Sequence, residues 1–403
     1  MTNPRWDVYP LRALLRRSPR YGIGAAAVPA GRGTHSYIRI TDIDDEGRYA
    51  PDPRVEVAHP KAADYLLGPG QIVFARTGAS VGKSYLYDPA DGELVYAGFL
   101  INVEPDPRRL NPRYLAAYVQ SHAYWNWIER ISIRSGQPGI NGREYGSLPI
   151  PLPEVRVQET IAEVSQHSDD QVGALRRLVA KKEAVRQAVM QDLFHGSREQ
   201  EESRTSLGVV TEWLSGGTPD RAIREYWTGT IPWISASTLR AWTVSGSDQK
   251  VTPAAAQRFS RMAPLNSTLL LVRGSALHSE IRASLVEVPV CFNQDVKALI
   301  PRGPLIGKFL MYSIHANAAR LLRLVSSAGN TAGVLDTQLV KRFEIWLPER
   351  SEQERIVGIL DDLEGELDAY SLLLTKAKEI RKGLGQDLLS GRAKIATEEL
   401  TSV

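Results

Sequence analysis

The chain has 403 residues, 49 lysines and arginines against 46 aspartates and glutamates, and a formal net charge of +3. This length can hold two or three domains, and the hydrophobic content of 43% is that of an ordinary soluble globular protein. The nearly balanced charge excludes a strong basic field over the whole molecule, so any basic surface must be local.

A single cysteine, Cys291, excludes an internal disulfide and a cysteine-rich zinc site. The seven histidines show no metal-ligand spacing, so no metal site is expected. Residues 1–12 contain no apolar signal core, and no apolar run reaches membrane length. We therefore expect a cytoplasmic protein without a membrane segment.

The first β-rich domain is predicted at residues 1–151. Its short β-rich runs, separated by Gly and Pro turns, lie at residues 36–44, 71–78 and 96–105. One helical segment follows at residues 111–131, and Asn111 is its predicted N-cap.

A long helix is predicted within residues 152–196. Pro153 precedes a run in which apolar residues recur at helical spacing, and Gly196 follows it. Arg and Lys lie on the other faces, an arrangement typical of a long helix that pairs with another long helix. At 1.5 Å per residue, the segment from about Gln158 to Phe194 would be a rod of roughly 50 Å.

The rest of the chain repeats this order. A polar linker (197–205) precedes a second β-rich domain (206–346), a second long helix (347–391) and a polar tail (392–403). In the second domain, the expected β-rich runs and the helical segment lie at residues 229–239, 267–277, 290–301 and 305–322.

An internal repeat with a shift of 195 residues accounts for this order. Residues 152–196 align without a gap with residues 347–391. Identical residues at matching positions include Gln158 and Gln353, Glu159 and Glu354, and Arg186 and Arg381. The same shift places Leu100 on Asp295. We expect an α+β fold in which two pseudo-twofold-related domains are separated by two long helices, packed as an antiparallel coiled coil.

The segments LPEVRVQE and LPERSEQE lead into the two long helices, which end in QDLFHG and QDLLSG. Further motifs are YIRITDID and GQIVFARTGASVGKS in the first domain, and GGTPDRAIREYWTGTIPWIS and FNQDVKAL in the second, so the motifs are spread over essentially the whole chain. Together they resemble a known family, the specificity (S) subunit of type I restriction-modification systems.

The resemblance implies a non-catalytic DNA reader. Residues 1–151 and 206–346 would be target recognition domains, each for one half of a split, asymmetric site in double-stranded DNA. The helices would set the spacer length and dock methyltransferase (M) subunits, and through them restriction (R) subunits. No cofactor is expected on this chain, because S-adenosylmethionine, ATP and Mg²⁺ would bind the partner subunits. The candidate partner-binding residues are Pro153, Gln158, Glu159, Pro348, Gln353 and Glu354.

Candidate DNA contacts are basic or polar side chains in or beside Gly-rich loops, where a backbone can approach a groove closely. Arginine can donate two hydrogen bonds to guanine O6 and N7, whereas lysine offers a point charge suited to phosphates. The candidates are Arg32, Arg39, Arg76, Lys83, Arg134 and Arg143 in the first domain, and Arg240, Arg273, His278, Arg282 and Asn330 in the second. Trp233 and Trp242 could also contact DNA, but an aromatic residue in a strand is more often part of the core, so both are interpreted as core residues.

Three motifs resemble catalytic or nucleotide-binding signatures but are interpreted otherwise. GASVGKS, at residues 78–84, has three residues between its glycines where a nucleotide-binding loop has four, so we expect its backbone and lysine to contact a DNA phosphate. NPRY, at residues 111–114, lacks the second proline of a methyltransferase loop and is explained by a helix cap. Asp295 and Lys297 could be half of a nuclease site that holds Mg²⁺. The upstream carboxylate that would complete it, Asp220, precedes Asp295 by 75 positions, which is long for a single compact site, so Asp295 is interpreted as a turn residue after a strand.

Two other functions stay open. A self-contained DNA nuclease or adenine methyltransferase predicts metal- or S-adenosylmethionine-dependent activity of the isolated chain. A coiled-coil scaffold without a DNA role predicts that no duplex is retained in a sequence-selective manner.

Overall fold

A computed structural model describes residues 6–133, 138–195, 203–327 and 332–392. The chain forms two compact units. The first consists of Met1–Arg176 with Leu372–Val403, and the second of Arg177–Ser371. The divisions fall inside two long helices, so the two halves of each helix belong to different units.

Two four-stranded sheets and a ribbon form the β structure of the first unit. The antiparallel sheet runs, from edge to edge, β2 (Arg20–Tyr21), β9 (Leu100–Val103), β6 (Ile72–Ala75) and β7 (Ser84–Leu86). The other sheet, in which the last two strands are parallel, runs β3 (Ala27–Pro29), β5 (Val55–Val57), β4 (His35–Ile38) and β8 (Leu94–Tyr96). The ribbon pairs β1 (Val8–Pro10) with β10 (Pro149–Pro151). Every residue of β6 and β9 is buried, so these strands lie in the core of the unit.

Three short helices complete the body of the first unit: α1 (Pro112–Tyr118), α2 (His122–Ser132) and α3 (Gly142–Gly146). Asn111 caps α1 as predicted, since its side chain accepts hydrogen bonds from the backbone N–H groups of Arg113 and Tyr114. The expectation of one helical segment at residues 111–131 is wrong. The side chain of Ser121 caps α2, so a second helix begins there.

The second unit has three sheets and a ribbon. The five-stranded sheet runs β12 (Thr211–Ser215), β21 (Val296–Pro301), β17 (Thr268–Leu271), β19 (Ala283–Val286) and β14 (Thr243–Val244). The four-stranded sheet runs β15 (Lys250–Val251), β13 (Ile231–Ile234), β20 (Val290–Phe292) and β16 (Met262–Ala263). The three-stranded sheet runs β18 (Arg273–Gly274), β23 (Gly333–Leu335) and β22 (Val325–Ser327), and the ribbon pairs β11 (Arg204–Ser206) with β24 (Glu344–Trp346).

The short helices of the second unit are α5 (Leu207–Val210), α6 (Pro253–Phe259), α7 (Gly307–Ala316), α8 (Ala318–Leu322) and α9 (Thr337–Arg342). The single helical segment expected at residues 305–322 is again two helices. Asn317 ends α7 as its C-cap, with φ −94° and ψ 10°, and its side-chain amide donates to the carbonyl of Ser313 at 2.9 Å. A Cβ at Gly307 would lie 1.9 Å from the carbonyl oxygen of Asn266, so only glycine fits where α7 begins.

The two units repeat the same central strand pair with a small change of register. Ala75 of β6 lies opposite Leu100 of β9, and Leu271 of β17 lies opposite Val296 of β21. Both equivalences correspond to a shift of 196, so the placement of Leu100 on Asp295 is wrong by one residue. The cause is a segment after the strand that is one residue shorter in the second unit.

The two long helices are α4 (Val155–His195, 41 residues) and α10 (Arg350–Leu389, 40 residues). Helix α4 is unbroken and starts three residues before the predicted rod, so it is about 60 Å long at 1.5 Å per residue. In the first unit, Ile161 of α4 and Leu389 of α10 are buried in the core of the body. In the second unit, Phe194 and Ile356 occupy the corresponding places.

In each unit, α4 and α10 lie against each other in antiparallel orientation. In the first unit, Arg381 of α10 donates to Asp169 of α4 at 2.8 Å. In the second, Arg186 of α4 donates to Glu364 of α10 at 2.5 Å. Both members of the second pair lie 195 positions from their counterparts, with the roles of the two helices exchanged. The predicted packing of the two repeats on each other is confirmed.

Candidate nucleic-acid interface

The Gly-rich loop of residues 76–83 connects the antiparallel strands β6 and β7. The Arg76 N–H donates to the carbonyl of Phe99 at 3.0 Å, and the Arg76 carbonyl accepts from the N–H of Ile140 at 2.8 Å. Gly82 has a φ of +91°, and a Cβ there would lie 2.9 Å from the ring of Trp125, so glycine is required. These contacts hold Arg76 and Gly82 close against neighbouring segments.

Arg76 carries a positive charge that has no partner in the described residues. Its guanidinium carbon lies 4.9 Å from the centre of the Tyr21 ring, a cation–π contact. Its Nε is buried without a hydrogen-bond partner. Neighbouring cations such as Arg39 and Lys83 pair with carboxylates, but no ion pair among the described residues includes Arg76.

Tyr21 connects Arg76 to the start of α3. The Tyr21 hydroxyl accepts a hydrogen bond from the N–H of Gly142 at 3.0 Å, and the next residue, Arg143, is exposed. Phe99, whose carbonyl binds the backbone of Arg76, is 60% exposed. Sequence analysis missed Tyr21 and Phe99, although an aromatic residue between a turn glycine and a buried strand was a signal for Phe99. The structure thus places Arg76 on the Tyr21 ring and the residue before Arg143 on the Tyr21 hydroxyl.

Two other candidates of the first unit are neutralised by carboxylates. Arg39 donates from Nε and Nη2 to buried Asp42, at 3.0 and 2.7 Å. This hydrogen bond raises the pKa of the Arg39 guanidinium, because it stabilises the charged form. Lys83 Nζ lies 2.7 Å from the Asp45 carboxylate, and its hydrogen bond lowers the pKa of that carboxyl. Asp45 is largely exposed and such pairs are weak, so a phosphate oxygen can replace it.

Arg32 is exposed in the turn between β3 and β4 and forms no ion pair within the described part of the chain. Arg134 lies outside the described residues. The segment of residues 78–84 belongs to a β-hairpin, whereas a nucleotide-binding loop connects a strand to a helix. The hairpin therefore agrees with the interpretation that this loop does not bind a nucleotide.

In the second unit, two candidate-bearing loops meet. Arg282 donates from Nη1 to the carbonyl of Ala236 at 3.3 Å, which joins the loop of residues 273–282 to that of residues 235–240. Glu280 neutralises Arg282, with hydrogen bonds of 2.8 and 2.5 Å. Arg240 donates from Nε to the carbonyl of Ser237 at 3.0 Å. The exposed candidates Arg273 and His278 lie in the first of these loops, and Asn330 lies outside the described residues.

The same edge of the central strand pair carries different side chains in the two units. Because Ala75 corresponds to Leu271, Arg76 takes the place of buried Val272, and Arg273 is one position further along. The two units therefore carry an arginine at loop positions that differ by one residue.

A family model described as the type I restriction modification DNA specificity domain matches residues 205–374. This part of the chain is therefore similar to type I DNA specificity domains. The EcoR124I/EcoR124II specificity subunit of Escherichia coli is 32% identical over 179 residues, 44% of either chain. The MjaIX specificity subunit of Methanocaldococcus jannaschii is 28% identical over 161 residues, 38% of this chain and 36% of the relative. The chain thus matches less than half the length of these relatives.

Two solved structures share the fold over nearly the whole chain. One, from work on complex assembly and conformational transition of the type I R-M system, has a TM-score of 0.60 at 18% identity, over 97% of this chain and 99% of the other. The type I restriction-modification S subunit from M. genitalium has a TM-score of 0.59 at 15% identity, over 96% and 97%. The resemblance to specificity subunits and the α+β fold are both confirmed.

Of the two tryptophans considered as DNA contacts, Trp233 is buried and Trp242 is half-buried against the core of the second unit. Trp233 is 2% exposed, and its indole N–H donates to the carbonyl of Gly217 at 3.1 Å. Trp242 lies between two side chains: its ring stacks on His315 at 4.2 Å, and the Arg186 guanidinium lies 4.1 Å from its centre. The interpretation of both as structural residues agrees with this packing.

The candidate partner-binding glutamines are fully buried at the start of the long helices. Gln158 Oε1 accepts from the N–H of Asn111 at 2.8 Å, and its Nε2 donates to the carbonyls of Arg109 and Pro153, both at 2.9 Å. Gln353 makes the same three bonds in the second unit, to Ile306, Pro304 and Pro348. These side chains join helix to body, so a partner would meet the exposed Glu159 and Glu354 instead.

No group of three or more His, Cys, Asp and Glu side chains in the described ranges could hold a metal ion. The Asp295 carboxylate accepts from the amide of Asn293 at 3.0 Å, and Lys297 donates to the Ser215 hydroxyl at 2.9 Å. Burial lowers the pKa of the Lys297 ammonium. Among the helices of these ranges, none is long and apolar enough to cross a bilayer.

Proposed function

We propose that this chain is the sequence-specific DNA-recognition subunit of a type I restriction-modification complex. Residues 1–151 and 206–346 act as target recognition domains, each reading one half of a bipartite, asymmetric site in double-stranded DNA. The helices α4 and α10 set the distance between the half-sites.

The observation that carries this proposal is the specificity domain at residues 205–374, whose central strand pair and glutamine contact recur in the first unit. A repeated reader suits a DNA site with two halves. The different positions of Arg76 and Arg273 support half-sites of different sequence.

Basic side chains without an acidic partner support DNA as the ligand. Lysines and arginines that neutralise phosphates supply most of the non-specific affinity for DNA, whereas base-edge contacts supply the selection. In this chain Arg32, Arg143 and Arg273 are exposed, and none of them forms an ion pair within the described ranges. These three suit phosphates.

Protein partners are proposed at the first turns of α4 and α10. Glu159 and Glu354 are exposed there beside Pro153 and Pro348, and they are identical in the two repeats. Two equal surfaces suit two copies of one M subunit, and R subunits bind through the M subunits. The chain itself is non-catalytic and cytoplasmic, and cofactors bind only to the partners.

An exchange of residues 207–343 with those of a relative of different specificity tests this proposal. The exchange keeps the ribbon of β11 and β24 and both long helices, so we expect one half-site to change and the other to persist. Mapping of methylated adenines in cells that express the exchanged chain with its M subunits measures both half-sites at once. A change in both halves would contradict the assignment of one reader to each half.

The isolated chain distinguishes the alternatives. We expect it neither to methylate nor to cleave DNA with S-adenosylmethionine, ATP or Mg²⁺ added. Activity of the chain alone would establish an enzyme instead. Failure to select any duplex in the presence of M subunits would favour a scaffold.

A further inference from the structure

Arg76 differs from the other candidate cations because its guanidinium is already positioned. The Tyr21 ring lies 4.9 Å from the guanidinium carbon, and Gly142 holds the Tyr21 hydroxyl at 3.0 Å. The backbone of Arg76 is bound on both sides, to Phe99 and to Ile140. An arginine fixed in this way loses little conformational freedom when it binds a ligand.

The terminal nitrogens of the Arg76 guanidinium suit a ligand with two hydrogen-bond acceptors in one plane. Its Nε is buried and unpaired, whereas its terminal nitrogens are neither buried nor hydrogen-bonded among the described residues. Two parallel N–H donors match guanine O6 and N7 in the major groove, and stacking on an aromatic ring leaves that edge of the guanidinium accessible. A phosphate needs only positive charge, which exposed Arg143 offers without such positioning.

Phe99 supports a contact with bases rather than with the DNA backbone. Its ring is 60% exposed, and its carbonyl accepts the hydrogen bond of the Arg76 N–H. An apolar ring beside an arginine excludes water from a base edge and can contact a thymine methyl group, whereas it gains nothing from a phosphate.

We propose that Arg76 reads a guanine in the half-site recognised by the first domain, with Tyr21 as its positioning residue. This inference rests on the proposed function. It adds the base, the groove and the donor atoms, and it assigns the exposed Arg143 to a phosphate.

The test compares Arg76→Lys with the unchanged chain, each assembled with M subunits. Binding is measured to duplexes that differ at one base pair of the half-site assigned to residues 1–151. Lysine keeps the charge but loses the paired donors. We expect about a 10- to 100-fold loss for the cognate duplex, confined to one G·C pair, with unchanged affinity for unrelated DNA. Arg113→Lys, at an exposed position of α1 outside the proposed interface, is the matched control and should keep both the affinity and the full preference at every position.

A modified base tests the same contact without a change in the protein. Replacing that guanine by 7-deazaguanine removes the N7 acceptor, so the unchanged complex should lose about tenfold in affinity. The Arg76→Lys complex should lose almost nothing further, because the two changes remove one contact. Tyr21→Phe, which keeps the ring, should preserve the preference, whereas Tyr21→Ala should weaken it at the same base pair.

Three outcomes would overturn the inference. The affinity losses from Arg76→Lys and from 7-deazaguanine could multiply when combined, Arg76→Lys could lose affinity equally for all duplexes, or Arg76→Lys could keep the preference of the unchanged chain. Each presupposes that the unchanged complex selects a sequence. If that complex selects none, the proposed function itself fails.

Discussion

Two glutamines at the same position of the repeat show how a single side chain can join a long helix to a folded body. Gln158 and Gln353 are each fully buried and make three hydrogen bonds to main-chain groups. A buried main-chain N–H or carbonyl without such a partner destabilises the fold, because no hydrogen bond replaces those it made with water in the unfolded chain. The buried amide therefore explains the identity of the two repeats at this position in terms of folding.

Gln353→Met tests this role, because methionine has a similar shape but cannot replace the hydrogen bonds. We expect a loss of about 2–4 kcal/mol in the stability of the second unit, since the N–H of Ile306 and two carbonyls stay buried without the amide. Urea unfolding followed by hydrogen exchange near Ile306 measures it. Glu354→Gln, at the exposed neighbouring position, should change stability by less than about 0.5 kcal/mol. Equal effects of the two variants would contradict the argument.

At the scale of single residues, the sequence offers candidate side chains by their chemistry but does not specify their contacts. Arg76 and Arg39 have the same side chain, and both lie within a predicted β-rich run. Only the folded chain separates them, because buried Asp42 neutralises Arg39 while Tyr21, far away in sequence, holds Arg76. Tyr21 could not be predicted, since its contact depends on the pairing of β2 with β9.

Among the elements, α7 is joined to α4 and α10 by a polar and aromatic contact within the second unit. Arg186 of α4 and His315 of α7 lie on the Trp242 ring. Lys308 of α7 donates to Asp361 of α10 at 2.8 Å. His315 Nε2 lies 2.9 Å from the Ala283 carbonyl, and burial beside the Arg186 charge lowers the pKa of the imidazole to about 4.

This joint should weaken in acid. The unfolded chain binds a proton at His315 near its ordinary pKa of about 6.5, whereas the folded chain does not until about pH 4. The contribution of neutral His315 to the free energy of unfolding is therefore fully present above pH 6.5. It falls as the pH drops towards 4, by at most about 3 kcal/mol. Urea titrations between pH 7 and pH 5 measure the slope. His315→Gln should flatten it and His278→Gln, at an exposed site, should not; an unchanged slope in His315→Gln would refute the assignment.

The elements with strong periodicity were predicted well and the short ones less so. The 3.6-residue repeat of apolar side chains specifies α4 and α10 along their whole length, because it is sustained over many turns. The breaks at Ser121 and Asn317 were not predicted. Each depends on one local hydrogen bond in an otherwise helical stretch.

For the whole molecule, the repeat makes the proposed spacing adjustable. Seven residues inserted after Arg177 and after Leu372 would lie at the midpoint of the antiparallel pairing, so Asp169–Arg381 and Arg186–Glu364 would both persist. Two helical turns add about 10 Å, so we expect the half-sites to separate by about three base pairs more, with their sequences unchanged. Methylation mapping measures the spacer. A seven-residue insertion at the exposed Gly92 turn should leave it unchanged, and an unaltered spacer in the helical variant would contradict the proposed role.

The division of the chain also determines the order in which its parts can be completed during synthesis. The core of the first unit includes Leu388 and Leu389, which the ribosome adds after the entire second unit. The nascent first unit must therefore wait, with the pocket for these leucines unfilled, while the inserted unit emerges and folds. The portion of the protein translated first is the last to be finished.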